Sequence, residues 1–374
     1  VLLAILRMPE YRSAMERSLK RLALACGIFV TTLPLLSQST PKESLLVLSK
    51  RDLSLAVVDP ASLKVVGKVS VGEDPHEVIA SADGKTAYVS DYGGGRLHTL
   101  SVVDLIAGKP LPPIDLGPLG GPHGLTFVDG KLWFTAEGAK VIGRYDPVAQ
   151  KVDWVLGTGQ NRTHMIYVSP DLKRIVTTNV SSGTVSIFEK ALPANPWGAP
   201  PPNRPGPGPH PANMRARPPF GQPVPDWNQT VVKVGNGSEG FDISPDGKEI
   251  WVANAQDGTL SIIDSKTRAV AQTLSADVPG ANRLKFTLDG KLVVVSTLGS
   301  GDLTVLDAAT RKVVKRLPIG SGAAGILMEP GGARAFVACT PDDYVAVIDL
   351  KTMTVAGKIE AGPEPDGMAW ASAH

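Results

Sequence analysis

A chain of 374 residues with 43% hydrophobic content is long enough for two ordinary domains or for one large closed all-β architecture. Its 38 Lys and Arg against 36 Asp and Glu leave no electrostatic case for nucleic acid, so function has to be sought in a local site. With only Cys26 and Cys339 the chain is not a disulfide-stapled scaffold.

At the N-terminus, Arg17, Lys20 and Arg21 precede an apolar stretch over 22–36, and Ser37-Gln38-Ser39 offers small residues for cleavage. Residues 1–39 read as an N-terminal extension with a secretory signal, Met15 being a candidate start. The stretch is short and broken by Thr31, Thr32 and Pro34, which argues against a membrane span. A buried helix would need the polar face that it lacks. The expectation is export to the periplasm or the exterior, with Cys339 the one thiol left after cleavage.

Over 44–372 a single phrase recurs: "VGEDPHEVIASADGKTAYVSDYGGGRLHTLSVVD" from Val71, "VGNGSEGFDISPDGKEIWVANAQDGTLSIIDSKT" from Val234 and "VPGANRLKFTLDGKLVVVSTLGSGDLTVLDAAT" from Val278. Further copies begin near Leu116, Leu156, Ile319 and Ala361, mostly 40 to 45 residues apart, the spacing of four-stranded propeller blades. Each copy holds four β-rich runs. A Ser-Pro-Asp-Gly type turn separates the first two, and its Asp and Gly are what a hairpin needs rather than a calcium loop. Six units are full or nearly so. The N-terminal fragment supplies three later strands of a seventh and the C-terminal "AGPEPDGMAWASAH" its first strand. The expected fold is therefore all-β, a seven-bladed β-propeller closed by pairing of the two chain ends, which removes exposed sheet edges.

One interval breaks the period. Gly157 and Gly235 are 78 residues apart, and the excess is the Pro- and Gly-rich segment 192–226. It cannot form a ladder and reads as an extended insertion. It is either a tolerated surface loop or, through Trp197, Phe220 and its arginines, a docking arm.

The recurring "VG…P…SPDGK…(Y/W)V(A/S)N…T(V/L)S(I/V)ID…T" resembles the YVTN-type repeat of exported YncE-like propellers, over most of the chain. The second blade, "GPHGLTFVDGKLWFTAEGAKVIGRYDP", is similar to repeats of streptogramin-lyase-like propellers. The second resemblance implies elimination chemistry with a metal, His and Glu on one face. Here "WFTAE" carries Glu137 one residue later than that family's usual Trp-Phe-Thr-Glu, and the other blades lack the pattern.

Counting back from each turn aspartate gives one residue per blade: His76, His123, His164, Glu239, Asn282, Ala324 and Asp366. With 6 His in 374 residues, seven positions should hold about 0.1 histidines by chance, yet three consecutive blades carry one. First strands lie nearest the axis, so these residues converge on one channel mouth. Strand alternation brings Lys50, Arg51, Asp91, Tyr92, Glu137, Asn179, Asn254 and Cys339 to the same face, with His98 in an enlarged loop as a further contributor. The insertion 192–226 leaves from the opposite face.

His76, His123, His164 and Glu239 together suit a divalent metal of undetermined identity. The alternative is that these histidines cap turns beside Pro75 and Pro122. As a ligand site the mouth offers His76, Asn282, Arg283, Asp366, Tyr92 and Glu137, where Arg283 could meet an anion or join a surface salt bridge. As a catalytic site it offers His123, His164 and Glu239 for metal-assisted lactone hydrolysis or β-elimination. No Gly-rich phosphate loop, nucleophile elbow or paired CxxC occurs, so no nucleotide cofactor is expected. Three functions remain open: a monomeric exported propeller binding a small molecule, metal or cell-envelope partner at the mouth, a metal-assisted lyase or hydrolase, and a scaffold acting through its insertion.

Overall fold

The computed structural model describes residues 42–191 and 226–373, which fall within the compact unit Thr40–His374. The secretory signal expected in 1–39 and the insertion 192–226, Asp226 excepted, lie outside the described residues.

The described residues form 28 strands in seven four-stranded antiparallel sheets, the seven blades of a β-propeller. The innermost strands are Pro75–Ala80, Pro122–Val128, Thr163–Val168, Ser238–Ile243, Ala281–Phe286, Ala323–Met328 and Pro365–Ser372 in blades one to seven. In the seventh blade, Pro365–Ser372 pairs with Glu43–Ser49, in register Leu45 with Trp370 and Val47 with Met368. The first and last described strands therefore share one sheet and close the ring.

Blade packing explains the apolar runs of the repeat. A second strand such as Glu249–Asn254 is buried from Ile250 onward, because neighbouring blades cover both of its faces. The outermost strand Ala269–Leu274 is exposed except at Leu274. One cluster joins Trp251, Leu260 and Ile262 of blade four to Leu284, Phe286 and Val293 of blade five. Full burial of each such side chain stabilises by about 1.5–3 kcal/mol, and the pattern repeats around the ring.

The hairpin between first and second strands uses its aspartate locally. Ser244 Oγ donates to Asp246 Oδ1 at 2.7 Å, the Lys248 N–H donates to the same oxygen at 3.1 Å, and Gly247 takes a left-handed φ of 73°. Ser81 with Asp83, Ser169 with Asp171 and Thr287 with Asp289 repeat the bond. No helix among the described residues is long and apolar enough to cross a membrane.

Candidate functional site

The seven ring residues each occupy the second position of an innermost strand. A hydroxyl staple fixes their backbone. Thr135 Oγ1 accepts the Gly124 N–H at 2.9 Å and donates to the His164 carbonyl of the next blade at 2.6 Å. Thr178 does the same between Met165 and the Glu239 carbonyl, and Ser296 between Arg283 and the Ala324 carbonyl. The following position must then pass close to the next blade. A Cβ on Gly124 would lie 2.4 Å from the His164 carbonyl, and one on Gly367 2.2 Å from that of His76.

The side chains converge as the repeat implies. Ring centroids of His76 and His123 are 5.0 Å apart, and those of His123 and His164 are 3.8 Å apart. Tyr92 stands edge-on to both His76 and His123. His164 is held between two carboxylates: Nδ1 is 2.6 Å from Glu137 Oε1, and Nε2 is 2.8 Å from Glu239 Oε2, an ion-pair distance off the N–H axis. Burial alone would favour neutral His164, but the Glu239 charge and the hydrogen bond that the ring donates to Glu137 outweigh it and raise its pKa. The same pairing overcomes burial at Glu239 and lowers its carboxyl to about 2; Glu137 is lowered too.

His123 differs. Its ring is 2% exposed and its Nδ1 is buried without a hydrogen-bond partner among the described residues. Burial and then the neighbouring His164 charge hold its pKa well below the usual imidazole range. His123 is therefore a neutral base with an unused nitrogen. His76 is also lowered, mainly by burial; its Nε2 lies 3.0 Å from Lys50 Nζ, which can donate to the neutral ring, and 3.1 Å from Asp74 Oδ1.

Around this core, Tyr92 donates to Glu137 Oε2 at 2.6 Å, and burial followed by that bond pushes its phenol up to about 12. Arg162 Nε donates to the same oxygen at 3.3 Å, while its Nη1 is 3.7 Å from Glu239. Arg283 Nη2 donates to Glu77 at 2.8 Å, joining blades five and one.

Three donors, His123, Glu137 and His164, have ligand atoms within 4.8 Å of one another and could hold a metal ion. This differs from the expected set of His76, His123, His164 and Glu239. Glu137 supplies the third donor, His76 is engaged with Lys50 and Asp74, and Glu239 backs His164 from its other side. Arg283 is not at the surface but is fully committed to Glu77 and to Asn282 Oδ1 at 3.3 Å. Asp366 lies 3.2 Å from Lys50 and 3.6 Å from His76 Nδ1. His98 stands apart, exposed and 2.9 Å from Asp115.

Several residues expected on this face have structural partners. Asp91 accepts from Thr99 and Ser101, Asn179 donates to Thr184 and Ser186, Asn254 to Thr259 and Ser261, and the Cys339 thiol to the Ile319 carbonyl. Arg51 pairs with Glu364 at the rim. Conversely, Asp74, Glu77 and Arg162 were missed. All three sit within two positions of a ring histidine, and that adjacency was the available signal.

The class this defines is a seven-bladed β-propeller with a buried His/Glu cluster at one mouth. Its resemblance to YncE-like propellers is shown: residues 224–334, from the outer strand of blade three into blade six, match the family described as "YNCE-like beta-propeller". No curated protein matches the chain. Among solved structures, a functionally unknown protein from Desulfotomaculum acetoxidans aligns with a TM-score of 0.67 at 13% identity, covering 88% of this chain and 99% of that one. Hydrazine synthase from Kuenenia stuttgartiensis aligns at 0.62 and 18%, covering 82% and 92%. A candidate 6-phosphogluconolactonase from Bacteroides uniformis aligns at 0.66 and 15%, covering 88% and 100%. At these identities the likeness is one of fold.

Proposed function

We propose that the protein binds a small ligand at this channel mouth, together with a divalent cation held by His123, Glu137 and His164. The observation that carries the reading is the unpartnered Nδ1 of His123, since a buried polar atom without a partner costs about 1–3 kcal/mol unless something binds it. Charge supports it as well. Asp74, Glu77, Glu137, Glu239 and Asp366 face Lys50, Arg162 and Arg283, an excess of two negative charges that a divalent cation cancels when the three imidazoles are neutral. The cation would take the place of the proton that His164 shares with Glu137. Two imidazoles and a carboxylate with an open position suit Zn²⁺, Mn²⁺ or Fe²⁺.

The test is elemental analysis of untagged protein with a His123→Ala variant beside it. The reading expects near-stoichiometric metal in the wild type and loss of most of it in the variant; equal content in both would end it. A second reading, metal-assisted lactone hydrolysis or β-elimination, draws on neutral His76, whose ring stands 5.0 Å from His123 and could serve as a base. Chelator-sensitive turnover of lactones or uronates would support it over binding alone. Action outside the cytoplasm, expected from the leader pattern of 1–39, belongs to the same proposal and is checked by fractionation and N-terminal sequencing of the mature chain.

A further inference from the structure

Two residues before each ring residue the backbone turns left-handed in all seven blades: Asp74, Gly121, Arg162, Gly237, Gly280, Gly322 and Glu364 all have positive φ. Glycine fills this position in four blades, as expected where an L-side chain is strained. The other three carry charged residues, and each has a task at the mouth. Asp74 approaches His76 and Lys50, and Glu364 pairs with Arg51. Arg162, at φ 58°, is the bulkiest of the three, and its guanidinium meets Glu137 at 3.3 Å and Glu239 at 3.7 Å. Its side chain is 40% exposed, against 23% for Lys50 and 13% for Arg283; Arg51 is more exposed, at 59%, but is paired with Glu364 at the rim. Lys50 already lies within 3.0 to 3.6 Å of His76, Asp366 and Asp74, and Arg283 is spent on Glu77 and Asn282. Of the cations that touch the His/Glu cluster itself, Arg162 is therefore the one most open to a ligand arriving from solvent.

That guanidinium shares Glu137 with the proposed cation position. Arg162 Nε is on Oε2, and His164 Nδ1 is on Oε1 of the same carboxylate. The fork of Arg162 and the cation would thus lie side by side, separated by one carboxylate. A ligand engaging both needs an anionic group directly next to a metal-binding oxygen. We propose that the ligand is a small α-hydroxy or α-oxo acid, its carboxylate taken by Arg162 and its α-oxygen directed to the cation beside His123. The planar fork of an arginine matches a carboxylate in a way an ammonium does not. Charge also favours a monoanion: once a divalent cation has cancelled the excess, a carboxylate adds one negative charge and a phosphate dianion adds two.

The inference rests on the metal reading, and the experiment separates the two. Glycolate is titrated calorimetrically into wild type, Arg162→Gly and Arg162→Lys, each metal-free and after Zn²⁺ loading, with bound Zn²⁺ measured in every sample. Methyl glycolate, which keeps the α-oxygen but loses the charge, is the control. The glycine variant adopts the residue that four other blades carry here, so the backbone tolerates it. The expectation is that Zn²⁺-loaded wild type binds glycolate and not its ester. Binding should weaken about 10- to 100-fold in Arg162→Gly, the effect of losing a charge-assisted hydrogen bond, and by less in Arg162→Lys. Zn²⁺-loaded wild type that ignores glycolate, ester binding equal to acid binding, or Arg162→Gly binding like wild type each overturns the proposal. Wild type that takes up no Zn²⁺ overturns the metal reading. In that case, glycolate binding to metal-free protein that is lost in Arg162→Gly keeps the anion site, and its absence ends that too.

Discussion

Replacing Glu239 by Gln, measured without metal and with chelator present, tests whether the His164–carboxylate pairing holds the inner ring together. The Glu239 carboxyl sits at about 2 against an ordinary 4.5, because its attraction to His164, Arg283 and Arg162 exceeds the penalty of burial. A lowered folded-state pKa means that the stabilisation is complete above the unfolded value near 4.5 and is lost as pH falls towards 2. At 1.36 kcal/mol per unit the shift corresponds to roughly 3 kcal/mol at neutral pH. The raised pKa of His164 describes the same interaction and is not added to it. Urea unfolding at pH 7, 5, 4 and 3 should show Glu239→Gln less stable than wild type by about 2–4 kcal/mol at pH 7. The gap should be roughly halved at pH 3, where Glu239 is already mostly protonated in the unfolded chain but still mostly ionised in the folded one. In parallel, the His164 imidazole should titrate lower in the variant by NMR. A gap that stays constant from pH 7 to pH 3 would refute the reasoning, because the loss would then come from packing and not from charge.

His123→Phe keeps a flat ring and removes an unsatisfied buried nitrogen, so its thermal stability should equal or exceed wild type by up to about 2 kcal/mol while metal uptake falls; a clear loss of stability would show that Nδ1 has a partner after all. Gly124→Ala forces a Cβ against the His164 carbonyl, and a loss of about 1–3 kcal/mol with altered His164 chemical shifts is expected, whereas a neutral outcome would mean the two blades can part without cost. Arg283→Met leaves Glu77 buried without its partner and should cost about 3–5 kcal/mol in denaturant unfolding; the Arg283→Met, Glu77→Met double variant should recover most of that, and additive losses would contradict a buried pair.

The fold was legible because a propeller writes its geometry into a period. Each copy repeats the hairpin aspartate and glycine and the both-faces-buried second strand. The orphan strands at the two ends, Glu43–Ser49 with its two successors and Pro365–Ser372, add up to one blade. Repeat register also placed His76, His123 and His164 at equivalent strand positions.

Sequence alone determined that His76, His123, His164, Glu239, Asn282, Ala324 and Asp366 share one strand position, since the repeat fixes register locally, whereas it passed over Asp74, Glu77 and Arg162. Only the tertiary structure decided which of them touch. Glu137 reaches His164 from the neighbouring blade, Arg283 meets Glu77 from 206 positions away in sequence, and His123 alone among the three histidines is left with a buried nitrogen that neither a hydrogen bond nor an ion pair within the described chain engages. Those outcomes depend on side-chain length and rotamer across blade boundaries. A repeat gives each blade's residues an address on the ring, but charge pairing and desolvation are set by whichever neighbours close packing brings within a few ångströms.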